Sequence, residues 1–167
     1  MMILNPQQLA YPPANNNPIT QAEKNRGNLY NLNQKVYQRY HGFKDLQFVY
    51  LCPLGTEKDA ERIVKALGTY TEVNQWQFVF ATPEAIAAYH KQLHLVDKLD
   101  ANLGTSMIYI LDKERNLRGR KDRNDYKEGY DTFHPSELSN EMLDDFKVIL
   151  YEYRAALKKN NTASRKI

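Results

Sequence analysis

Cys52 is the only thiol in 167 residues. A single cysteine excludes an internal disulfide framework, a cysteine-rich zinc site and an iron–sulfur cluster. To act as a nucleophile it would need exposure and a cation or helix N-terminus to lower its pKa. It ends the apolar run Phe48-Val49-Tyr50-Leu51-Cys52, just before Pro53-Leu54-Gly55. The run favours a buried, inert residue; the turn leaves open a single-cysteine thiol peroxidase or oxidoreductase. His90 and His94 have the i, i+4 spacing that sets two imidazoles on one helical face for zinc or copper. There is no His-Glu-x-x-His pattern, and a third ligand would have to come from Asp97 or Asp100 by loop folding. Surface or half-buried histidines are the favoured reading, with a metal-handling protein as the alternative. His41 precedes Gly42 at a helix end, where a positive charge suits the helix dipole, and His134 adjoins Pro135. Neither has a serine and carboxylate beside it. Glu141, Asp144 and Asp145 lie beside Lys147 on an expected helix and read as a solvated face rather than an acid–base pair.

The charge balance narrows the partners. Lys and Arg number 23 against 20 Asp and Glu, a formal +3. The basic cluster Arg115, Arg118, Arg120, Lys121 and Arg123 is interrupted by Glu114, Asp122 and Asp125. It reads as a solvated hairpin and not as a nucleic-acid interface. Gly27, Gly42, Gly55 and Gly68 are isolated, so no glycine-rich phosphate loop is present. No apolar run approaches the roughly 20 residues of a membrane-spanning helix, and Met1-Met2-Ile3-Leu4-Asn5-Pro6 lacks the layout of a signal peptide.

The elements that would position these groups are well marked. Met2-Ile3-Leu4-Asn5 is a short candidate strand. Pro6, Pro12, Pro13 and Pro18 with Asn15-Asn16-Asn17 then enforce a loop. Thr20 and Glu23 have capping-box spacing, and Leu29, Leu32, Val36 and Tyr40 share a helical face. Phe48 to Cys52 and Gln77 to Ala81 read as strands buried on both faces. Between them, Thr56 can cap a helix whose inner stripe is Ala60, Ile63, Val64 and Leu67, ending at Gly68. Thr82-Pro83-Glu84 opens another helix with a capping hydroxyl and proline in its first turn, with Ile86 and Leu93 facing inward. Met107 to Leu111 is a third strong strand, turning into the edge strand Leu117-Arg118-Gly119-Arg120. Pro135 starts a long helix buried along Leu138, Met142, Phe146, Ile149, Leu150, Tyr153 and Leu157. The alternation predicts an α/β protein: a central mixed sheet with helices on both faces, closed by a C-terminal β-hairpin and long helix. One domain over residues 1–160 with a flexible tail, 161–167, is expected. Twelve tyrosines are many for this length, and core-edge packing with the hydroxyl hydrogen-bonded accounts for most of them.

That element order resembles the thioredoxin fold, and several stretches resemble the Sco (SenC-type) copper chaperones of respiratory oxidase assembly. They are Leu32-Asn33-Gln34-Lys35-Val36-Tyr37-Gln38-Arg39-Tyr40, Phe48 to Leu51, Trp76 to Ile86 and Ile108 to Gly119. The ending, Asp144 to Asn160, is similar to Sco-like proteins of the Bacteroidetes type. The resemblance implies a three-layer thioredoxin-like fold. The family binds copper through two cysteines of a C-x-x-x-C-P loop and one histidine. Aligning Pro18-Ile19-Thr20 on the family stretch sets Pro13 and Asn17 at the cysteine positions, and the histidine position falls near Gly104. Soft thiolates select Cu(I) and imidazole supports Cu(II); proline, an amide and glycine do neither. The proline that thioredoxins keep before the facing strand is also absent from Gly104-Thr105-Ser106.

The expectation is therefore a redox-inactive, non-catalytic Sco-like domain acting as a binding or assembly module. It takes a protein partner, in cell-envelope metalloprotein assembly, and no cofactor. The candidate surface is the loop with Tyr11, Asn15, Asn16 and Asn17, facing Gly104 and Thr105. Asparagine amides offer both donors and acceptors to a docked peptide. The resemblance implies a periplasmic, membrane-anchored location. Because the chain begins almost directly on Ile3-Leu4, it is expected to be a fragment that starts at an internal methionine.

Overall fold

The computed structural model of the chain describes residues 2–4, 28–100, 103–122 and 124–164. Tyr11, Pro13, Asn15, Asn16 and Asn17, with the expected capping box at Thr20, lie outside them. The described residues form a mixed α/β structure around a six-stranded sheet. Its strands are β1 (Met2–Leu4), β2 (Phe48–Pro53), β3 (Trp76–Ala81), β4 (Met107–Leu111), β5 (Leu117–Arg118) and the short β8 (Tyr130–Asp131). The order is β3-β2-β1-β4-β5, with β8 paired to β4. β1 to β3 run parallel, whereas β4 is antiparallel to both β1 and β5. β1 sits in the middle, with Ile3 opposite Val49 on one side and Tyr109 on the other.

Alternation along β2 divides the core. Phe48, Tyr50 and Cys52 join Leu29, Leu32, Val36, Ala60, Ile63, Leu67, Leu138, Met142 and Phe146 on one side. Val49 and Leu51 join Leu111, Tyr89, Leu93 and Leu117 on the other. The first side is covered by three helices. α1 comprises residues 28–32, a π-helical turn Asn33–Tyr37 and Gln38–Tyr40. α2 is Glu57–Gly68. α4 runs without a break through Pro135–Glu137, a π-helical turn Leu138–Met142 and Leu143–Ser164. Among the described residues, α3 (Pro83–Gln92) is the one helix on the second side. Its start is as expected, with Pro83 in the first turn and the Thr82 hydroxyl accepting from the Ala85 N–H at 3.3 Å. Thr56 stands at the head of α2 but makes no cap. Its hydroxyl donates back to the Pro53 carbonyl at 2.7 Å.

Three expectations need correction. β3 is not buried on both faces: it forms the sheet edge, Gln77 is exposed and Val79 is 43% exposed. The terminal helix continues to Ser164, into the stretch read as a tail. The edge strand after β4 stops at Arg118, and the chain makes an excursion there. A hairpin of β6 (Arg120–Asp122) and β7 (Asp125–Lys127) carries it off the sheet. It returns as β8 beside the first half of β4, with Met107 opposite Asp131, whereas β5 pairs with the second half. Both ends of the excursion are glycines for a steric reason. A Cβ on Gly119 would run into the Lys127 carbonyl oxygen, and one on Gly129 would lie 2.8 Å from Cε1 of Tyr109.

Gly129→Ala is expected to lower unfolding free energy by about 1–3 kcal/mol, the usual effect of overpacking a filled site. Urea denaturation measures it, and a loss below about 0.5 kcal/mol, the surface-substitution range, would contradict the packing described.

Candidate functional site

The loop between α3 and β4 carries His94, Asp97, Asp100, Gly104 and Thr105 of the residues singled out from the sequence. α3 ends at Gln92, and His94 takes φ 52°, a left-handed conformation. The i, i+4 pair therefore does not share a helical face, because His94 has already left the helix. His90 and His94 nevertheless border one open depression of about 560 Å³, together with Lys91, Asp97, Asp100 and Leu103.

Two carboxylates hold this loop. Glu128, delivered by the excursion and itself buried, accepts from the N–H groups of Val96 at 2.9 Å and Asp97 at 2.7 Å. Tyr126 also donates to it, at 3.2 Å. Asp97 in turn accepts from the hydroxyls of Thr105 and Tyr109, both at 2.6 Å. Burial, with the adjacent Asp97 carboxylate, pushes the Tyr109 phenol well above its ordinary range, so it stays a donor. The Thr105 hydroxyl is used twice, since it also accepts from the Met107 N–H at 3.0 Å. Gly104 is buried in a turn closed by Asp100, whose Oδ1 accepts the Gly104 N–H at 2.7 Å. A Cβ there would lie 2.9 Å from Asp100 Oδ2. Gly104 and Thr105 thus stand at the start of β4 in a hydrogen-bonded turn, with their donors engaged within it.

His90 is the polar group this network leaves out. Its ring lies 6.3 Å from that of Tyr109, and its Nε2 is buried without a hydrogen-bond partner. Burial lowers its pKa below the ordinary histidine value, opposed by the carboxylates of Asp97 and Glu128.

Cys52 lies on the other side of the sheet, fully buried among core residues. Burial pushes its pKa up to about 12, offset in part by the Thr56 hydroxyl and reinforced by Glu57. A thiol in that state presents no thiolate at neutral pH. His41 Nδ1 lies 2.9 Å from the Gln38 carbonyl at the end of α1, and His134 Nδ1 lies 2.9 Å from Asp131. Among the described residues no group of three or more His, Cys, Asp or Glu side chains is placed to hold a metal ion. The copper site that the Sco resemblance implies does not fit what stands at Gly104, which has no side chain to offer and no room for one.

Several structural roles were hidden in the charge pattern. Asp145, read as part of a solvated face, instead accepts from Arg120 Nε at 2.9 Å and the Tyr130 hydroxyl at 2.6 Å. Glu141 accepts from Lys127 Nζ at 2.6 Å. Of the basic cluster, Arg118 reaches Glu152 at 2.7 Å and Arg120 reaches Asp145. Glu128 and Asp145 sit in no periodic pattern; only the adjacent glycine and the basic run hinted at a tight, paired excursion. Comparison of the chain with protein-family models, with curated proteins and with solved structures finds no match.

A pH effect follows from His90. Its folded pKa lies below its unfolded value, so the unfolded chain takes the proton first and stability falls as pH drops through about 6.5. The slope of unfolding free energy between about pH 7 and pH 5 is expected to be shallower in His90→Phe than in the parent. Equal slopes in urea titrations at each pH would contradict the assignment.

Proposed function

We propose that the chain is a redox-inactive binding module on a thioredoxin-like, three-layer scaffold, similar in shape to the Sco copper chaperones and lacking their donor set. Support for the scaffold comes from parallel β1, β2 and β3 alternating with helices, followed by antiparallel β4 and β5. The observation that carries the function is the state of Cys52: the only thiol is buried in the core layer on the opposite face of the sheet from α3 and is held protonated. Dithiol exchange needs two neighbouring thiols and peroxide reduction needs an accessible thiolate. Neither requirement is met. The thiol peroxidase reading and the metal reading through His90 and His94 therefore stand behind the binding one.

The proposed docking surface takes in Tyr11, Asn15, Asn16 and Asn17 of the proline- and asparagine-rich stretch that follows β1 in sequence, together with the Gly104–Thr105 turn. β1 ends at Leu4 beside β2, and in α/β sheets the carboxyl ends of parallel strands are where ligands dock. The partner is a protein segment with polar main-chain or amide groups, and cell-envelope metalloprotein assembly is the setting the resemblance suggests.

Asn15→Ala combined with Asn17→Ala is expected to leave the thermal midpoint within about 2 °C. Capture of the partner that the parent chain retains should fall at least roughly tenfold. Equal capture by both chains would contradict the proposal. So would stoichiometric copper or zinc binding in calorimetry that His94→Ala abolishes.

A further inference from the structure

The geometry points to the free edge of β3 as a contact between two copies of this chain, joined antiparallel about a two-fold axis. Among the described residues β3 has one strand neighbour, β2. The N–H groups of Phe48 and Leu54 donate to the carbonyls of Gln75 and Ala81 at 2.8 and 3.0 Å. In a parallel ladder both main-chain groups of a residue point the same way and successive residues alternate, so those of Phe78 and Phe80 face outward. Natural edge strands are commonly blunted by charge, proline or a bulge. Trp76-Gln77-Phe78-Val79-Phe80-Ala81 contains neither a charge nor a proline, and it pairs with β2 residue for residue without a bulge.

The surface beside this edge identifies the occupant. An open apolar trough of about 470 Å³ runs between β3 and α2, with Phe78 and Phe80 on its floor. Its α2 wall has Glu57 and Glu61 toward the helix N-terminus and Lys65 toward the C-terminus. A two-fold axis at the β3 edge lays the two α2 helices side by side in opposite directions. Lys65 of each copy then meets Glu61 of the other, so the charge pattern complements itself, as an isologous interface requires. A strand spacing of about 4.8 Å, with each helix set back over its own sheet, leaves the helix axes about 10 Å apart, the ordinary packing distance. Val79, on the opposite face of the sheet, meets its counterpart near the axis. A parallel pairing of the same two edges would turn one sheet over and set the two α2 helices on opposite faces, where Glu61 and Lys65 find no counterpart.

The test is sedimentation equilibrium of the full chain across about 1–100 µM, a range that brackets weak self-association. The parent is expected to reach twice the chain mass. Val79→Asp, which puts two like charges near the axis, is expected to remain monomeric with an unchanged circular dichroism spectrum. Lys65→Glu is expected to weaken the dimer roughly tenfold, and the exchange Glu61→Lys with Lys65→Glu to restore it. Because the Lys65 and Glu61 variants alter only exposed side chains of α2, they decide the question even where Val79→Asp disturbs folding. A parent that stays monomeric throughout overturns the proposal. A dimer indifferent to the Lys65 change, or one that the exchange fails to restore, also overturns it.

Discussion

The Glu128 carboxylate fixes the course of the loop between α3 and β4, and much else depends on where that loop lies. Both of its oxygens are taken by consecutive N–H groups, those of Val96 and Asp97. Main-chain donors outside regular elements need partners, and here the side chain of Glu128, which follows β7, supplies them. Asp97, held in this way, gathers the hydroxyls of Thr105 and Tyr109 and so sets the first turn of β4. The excursion between β5 and β8 exists in a form that allows this, because glycines at both ends let the chain pass close to Lys127 and Tyr109. Its other side is tied to α4 through Lys127 with Glu137 and Glu141, and through Arg120 and Tyr130 with Asp145. The hairpin thus links the loop end of the sheet to the long helix.

Chemistry at the site is limited by the same economy of polar groups. The carboxylates of Asp97 and Glu128 are acceptors already in use. Several tyrosine hydroxyls are tied as well: Tyr37 donates to the Glu72 carbonyl at 2.6 Å, and Tyr153 reaches Asp45 at 2.8 Å. The thiol lies in the opposite core layer. The described residues offer at the surface a shallow depression bordered by basic and acidic side chains.

Elements whose burial follows from their own periodicity were legible in the sequence. β2 and β4 are continuous apolar runs, α2 and α4 have clear inner stripes, and Thr82-Pro83 marks the start of α3. β3 looked like β2 because both are apolar and aromatic; which of them has a neighbour on each side depends on strand order, and local pattern does not encode order. The helical pairing of His90 and His94 failed because one left-handed residue ends the geometry that spacing assumes. The excursion, Glu128 and the inward turn of Asp145 were illegible for a related reason. Each charge is satisfied by a partner distant in sequence, so its neighbours show only an ordinary polar stretch. At the candidate surface the Gly104–Thr105 turn was located by its position before β4, while its stabilisation by Asp97 and Asp100 appears only once the loop is folded.

The account requires that the one thiol cannot react while the chain is folded. The direct measurement is the rate of Cys52 alkylation by a maleimide or iodoacetamide between about pH 6 and pH 10, in the native chain and in denaturant. The account predicts native labelling at least about a hundredfold slower than in the unfolded chain, as for a group reached only through opening of the core. Native labelling as fast as that of a free thiol, rising with an apparent pKa below about 8.5, would contradict it.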